Sequence, residues 1–135
     1  MQNPTIINFD GSDEEYGGPV YQGSTFEAWI TIRNSSGTPL NLSTYNVRGM
    51  GRKNFSDPLP TFTFVASFID TVENGITYPS STIRLYLPAS EGANATRTIP
   101  SGTYKYDVEL ELISNIDIVV KPIAGKIKFT NEASK

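Results

Sequence analysis

Two glutamates in alternate positions, Glu109 and Glu111, come closest in this sequence to a catalytic pair. On a strand they would project from one face, roughly 6.5–7 Å apart by the rise per residue. That separation is near the one used by paired-carboxylate glycosidases. Lys105 and Asp107 share the face, however, and a flat solvated sheet offers no pocket that would raise one pKa above the other. The expectation is a wet strand face. A second acidic group, Asp10, Asp13, Glu14 and Glu15, could offer oxygen ligands to Ca²⁺, but it lacks the EF-hand spacing and reads as a solvated loop. The chain has no Cys and no His. That excludes disulfides, thiol nucleophiles, the usual zinc sites and imidazole acid–base chemistry. No catalytic residue, metal site or cofactor site is expected.

The elements that carry these residues belong to one small domain. The chain has 135 residues, 38% of them hydrophobic and 19% charged. Such a length can remove roughly two-thirds of its unfolded surface from water, enough for a core without staples. Eleven Lys and Arg stand against 14 Asp and Glu, for a net charge of −3. The densest basic group, Arg48, Arg52 and Lys53, is too sparse for nucleic acid, whose phosphates demand clustered cations. No apolar run approaches the roughly 18–20 residues that span a bilayer. The start, Met1 to Thr5, has no basic or apolar leader pattern, so no signal peptide is expected. The sequons at Asn34, Asn41, Asn54 and Asn94 read as chance matches in a chain rich in Asn, Ser and Thr.

Period-two alternation organises most of the chain. Phe26, Ala28, Ile30 and Ile32 fall on one face, with Glu27, Trp29, Thr31 and Arg33 on the other. Phe62, Phe64, Ala66 and Phe68 share a face, as do Ile83, Leu85 and Leu87. Tyr104, Tyr106, Val108, Leu110 and Leu112 alternate with Lys105, Asp107, Glu109 and Glu111, the pattern of a half-buried antiparallel strand. The last strand, Gly125 to Thr130, turns Ile127 and Phe129 inward. Lys126 and Lys128 are then expected to face the Glu109/Glu111 row. Two weaker strands, Thr5 to Phe9 and Tyr45 to Lys53, complete the set. Gly49 and Gly51 in the second suggest a bulge or a close backbone approach. Pro88 to Ala95 is the only candidate helical turn. About seven short strands predict an all-β fold, an immunoglobulin-like antiparallel sandwich over residues 25–135, preceded by an N-terminal arm over 1–24.

Apolar residues outside that pattern are the candidate contact sites. Trp29 lies on the outward face of its strand, either as an interface anchor or covered by the N-terminal segment. The stretch Ile113 to Val120 is too apolar for a solvated hairpin tip. It predicts long strands turning near Asn115–Asp117, with a partner contact as the second possibility. The glycine-rich arm could add a strand to its own sheet or to a neighbour's. Expected interface residues are Ile6, Ile7, Phe9, Tyr21, Trp29, Ile116, Ile118 and Val119.

Several segments together resemble small structural proteins of tailed bacteriophages. Phe26 to Arg33 followed by Ser36-Gly37-Thr38-Pro39-Leu40-Asn41-Leu42-Ser43-Thr44-Tyr45 is similar to their opening strand and its Gly-x-Pro turn. Gly102-Thr103-Tyr104-Lys105-Tyr106-Asp107-Val108-Glu109-Leu110 resembles their Gly-x-Tyr-x-Tyr-Asp strand. Ala124 to Thr130 resembles the closing one. The upper baseplate proteins of siphophages have a similar N-terminal domain. The chain departs from the pattern at Gly49 and Gly51, where larger apolar residues are usual, and in its 24-residue leader. The resemblance implies a virion component: a tail, baseplate or neck part, or a capsid decoration protein. Its partners would be other virion proteins and copies of itself. A carbohydrate-binding sandwich is the rival from another class; it would need a row of exposed aromatics, for which Tyr16, Tyr21, Trp29, Tyr78 and Tyr86 are the candidates.

Overall fold

The computed structural model describes residues 4–12, 17–54 and 56–131. Among the described residues there are nine strands: β1 (Thr5–Ile6), β2 (Val20–Tyr21), β3 (Phe26–Thr31), β4 (Tyr45–Arg52), β5 (Phe62–Thr63), β6 (Val65–Glu73), β7 (Ile76–Leu87), β8 (Gly102–Leu112) and β9 (Val119–Thr130). One sheet has the order β1-β9-β8-β4-β5, with β2 also on β9; the other has β3-β7-β6. Inward rows from both sheets form one core, with Phe26, Ile30, Ile83, Leu85, Tyr106, Val108, Ile127 and Phe129 buried. Edge-to-face aromatic contacts run through it. Phe62 meets Phe64, Tyr104 and Phe129 at centroid distances of 5.3, 5.8 and 5.3 Å, each worth about 0.5–1.5 kcal/mol beyond burial.

The all-β sandwich matches the expectation, and its wiring is immunoglobulin-like: a three-stranded sheet faces one built on the last two strands and β4. Near the start of β8, the Tyr104 hydroxyl donates to the Pro100 carbonyl at 2.7 Å, the tyrosine corner of that fold. Two residues on, where antibody domains carry a disulfide cysteine, stands Tyr106. It is fully buried, and its hydroxyl donates to the Ile7 carbonyl at 2.6 Å. A hydrogen-bonded aromatic thus ties the N-terminal segment to the core in a chain without cysteine.

That bond decides the fate of the arm. β1 and Phe9 run parallel along β9 in one register, from Thr5 opposite Ile123 to Phe9 opposite Ile127, and β2 resumes parallel pairing further along, with Val20 opposite Phe129 and Tyr21 opposite Thr130. The segment adds itself to its own sheet, so the pairing is not wholly antiparallel. A side chain at Gly125 would collide with the Ile7 carbonyl; glycine there lets the arm lie against β9. Gly51 has the same role under Phe62, whose ring lies where a Cβ would project. The β4–β8 register is unbroken, so the two glycines of β4 mark close approach and not a bulge.

Four other expectations change. Residues 61–69 form not one strand but two, because the chain crosses between sheets at Phe64: β5 pairs with β4, and β6 with β7. Pro88 to Ala95 is not helical; it is a chain of turns closed by Thr96 N–H to the Pro88 carbonyl at 2.8 Å. Residues 70–81 belong to a long β6–β7 hairpin. Its turn is Asn74-Gly75, with φ of 53° and 76°, the double-positive geometry that Asn-Gly favours. Lys126 and Lys128 stand opposite Lys105 and Thr103, not the glutamates.

Candidate interaction surface

The glutamate pair sits on the outer face of β8. Its cationic partner is Arg48 on β4, whose Nε donates to Glu109 at 2.6 Å and Nη1 to Glu111 at 3.2 Å. Lys121 reaches Asp107 at 3.3 Å and Glu109 at 3.5 Å. It can do so because β9 breaks register opposite Glu109, placing Lys121 and Pro122 against one residue; Pro122 has no N–H to give the ladder. Burial pushes the Glu109 carboxyl up, but the Arg48 bond and the charges of Arg48 and Lys121 outweigh it and hold it below the usual glutamate value. A glutamate so held is a poor proton donor near neutrality. Beside it, a groove of about 590 Å³ is bounded by Ile6, Arg52, Asp57, Asp107 and Lys121. Asp107 on its wall is buried, with one carboxylate oxygen unpaired. No cluster of metal-ligating side chains occurs among the described residues. Asp10 closes a local turn, accepting from the Ser12 N–H at 3.0 Å; Asp13, Glu14, Glu15 and Tyr16 lie outside the described residues.

The predicted contact residues divide. Ile7 and Phe9 are 5% and 1% exposed. They are core, because parallel pairing with β9 turns them inward, and they cannot serve as interface residues. Ile6 and Tyr21 remain exposed on the same segment. Trp29 is 60% exposed, uncovered by any described residue; its indole N–H donates to Glu27 at 2.9 Å, and Glu27 also binds Arg84. Arg84 in turn lies over the Tyr86 ring, 4.7 Å from its centroid. Outward Trp29 and half-buried Tyr86 are diagonal neighbours on one sheet face, with Val65 beyond.

Ile116, Ile118 and Val119 are exposed at the β8–β9 turn, where β8 does run long. Ile118 N–H bonds to the Asn115 carbonyl at 3.0 Å and Leu112 N–H to the Ile118 carbonyl at 3.0 Å, which sets the tip at 113–118. This turn shares one end of the sandwich with two others. Ile113 N–H donates to the Thr44 carbonyl, Leu42 N–H to the Ser80 carbonyl, and Arg33 pairs with Glu73. Loop 33–44 and both hairpins are thereby held together. Val72 and Ile76 on the β6–β7 hairpin are 66% and 53% exposed. The sequence reading missed them, although Asn74-Gly75 is the strongest short-range hairpin signal a sequence can carry. Leu40, Val72, Ile76, Ile113, Ile116 and Ile118 are thus all exposed on the loop and hairpins of this apolar end, with Val72 beside Thr77 and Ile76 beside Glu73 on opposite faces of their hairpin. No protein-family model matches the chain, and no curated protein matches it.

Proposed function

We propose that this protein is a non-enzymatic structural or adaptor component of a tailed-bacteriophage virion, in the tail, baseplate or neck, and that it works through protein contacts. The observation that carries the contact reading is the apolar end. A concentration of exposed apolar side chains marks an interaction site, and here two hairpins and a loop at one end of the sandwich carry six exposed large aliphatic side chains. The Arg48 and Lys121 ion pairs that hold the Glu109 carboxyl below the usual glutamate value further favour contact over catalysis. The phage setting is supported by the resemblance of the β3, β8 and β9 segments, and symmetric assemblies use one such patch many times.

Antibody labelling of intact and disrupted particles tests this reading. Signal at the tail or baseplate is the expected result. Signal on the head would assign the protein to capsid decoration, and no particle-bound protein would refute the virion role. Binding to a glycan array by the isolated chain, lost in Trp29→Ala, would favour the adhesive sandwich instead.

A further inference from the structure

We propose that the chain forms a two-fold dimer by pairing β3 with β3 of a second copy, joining the two three-stranded sheets edge to edge. The inference rests on backbone geometry and holds whether or not the protein belongs to a virion.

β3 is the outer strand of its sheet, and among the described residues nothing pairs with its far side. Ile32 N–H donates to the Ser81 carbonyl at 3.0 Å. In the observed register that places Phe26, Ala28 and Ile30 in hydrogen-bonded pairs with Leu87, Leu85 and Ile83. The backbone N–H and C=O groups of Glu27, Trp29, Thr31 and Arg33 therefore point to the open edge. Such an edge is a template for another strand, and sheets ordinarily blunt it with Pro, Lys, a bulge or shortness. The other edges here are blunted: β5 has two residues, the arm is interrupted between Phe9 and Val20, and β6 breaks register at Asp70. β3 has none of these devices.

Its side chains also fit a second copy. An antiparallel pair centred on Ile30 sets Glu27 opposite Arg33 of the second copy, and Trp29 opposite Thr31. The exchange extends existing ion pairs into a row of alternating sign: Arg84 and Glu27 from one chain, Arg33 and Glu73 from the other. The two outward Trp29 rings become diagonal neighbours across the axis, within aromatic reach.

Sedimentation of the full chain up to about 100 μM, where an interface of useful affinity is populated, reads the proposal directly. The expected mass is twice the 14.8 kDa of the chain. Trp29→Lys, at an exposed position that leaves the core untouched, returns the single-chain mass with unchanged circular dichroism. The Trp29→Cys/Thr31→Cys variant cross-links on mild oxidation; the chain has no other cysteine, and facing residues in such a pair have Cα atoms about 5.5 Å apart, within disulfide range. A wild-type monomer, a dimer that survives Trp29→Lys, or a dimer that the paired cysteines fail to cross-link would each overturn the proposal.

Discussion

Ile99 and Ile116 are the same side chain at opposite ends of the sandwich, one 1% exposed and the other 68%. Around Ile99 the loops are tied inward. Gln22 Nε2 donates to its carbonyl at 2.8 Å, Thr96 Oγ1 links Gly23 N–H and the Ser24 carbonyl, and Asn94 accepts from Thr63 N–H at 2.9 Å. Ala95 and Thr96 are fully buried there, and Leu59 is the main apolar exception. Around Ile116 the loops bond to one another through backbone, and the aliphatic side chains are left outside. One end spends its apolar groups on the core of the domain; the other presents them. Stability and contact are therefore separable by position.

Substitution should separate them in the same way. Ile99→Ala opens a cavity in a fully packed site and is expected to cost about 2–5 kcal/mol in denaturant unfolding. Thr96→Val strands the Gly23 N–H and Ser24 carbonyl in a part-buried site, a loss of about 1–3 kcal/mol by the same measurement. Tyr104→Phe removes the corner bond to Pro100 and should cost about 0.5–1.5 kcal/mol. That variant carries a second signature at high pH. Burial raises the Tyr104 hydroxyl above the ordinary value of 10.0, so its contribution is complete below pH 10.0 and is lost as pH rises through the folded value. The phenylalanine variant should lack that part of the alkaline decline.

Acid acts on the sandwich through small terms. The Arg48 bond and the surrounding cations hold Glu109 below 4.5 against its burial, and the Arg33 bond does the same for exposed Glu73. Their stabilisation is complete above pH 4.5 and is lost as pH falls through the lower folded values. Thermal scans should show a shallower acid decline in Glu73→Gln than in the parent, and salt should narrow the difference. Least of all, Ile116→Ala should change stability by no more than about 0.5 kcal/mol. A large loss there would mean that the open end is part of the core.

Strands with one wet face were legible in the sequence, because alternation at 26–31 and 103–112 needs no knowledge of partners. Partners were not legible. Which cation meets Glu109 depends on the slip at Lys121-Pro122, and that slip shifts the pairing of β9 by one residue from Ile123 onward. Ile7 and Phe9 looked available for contacts because parallel pairing with a strand more than a hundred residues later leaves no local trace. The β6–β7 hairpin was hidden by Asp70 and Pro79 at its irregular base, where Ser80 takes a positive φ and its N–H bonds Asp70. Two of the six exposed aliphatic side chains of that end, Val72 and Ile76, went unseen with it.

Incorporation into particles tests the role of that end most directly. The Val72→Ser/Ile116→Ser/Ile118→Ser variant changes exposed positions only, so it should fold and melt like the parent. It should nevertheless fail to enter particles when supplied in place of the wild-type chain. Normal incorporation by a stably folded variant would contradict the assignment of contacts to this end of the sandwich.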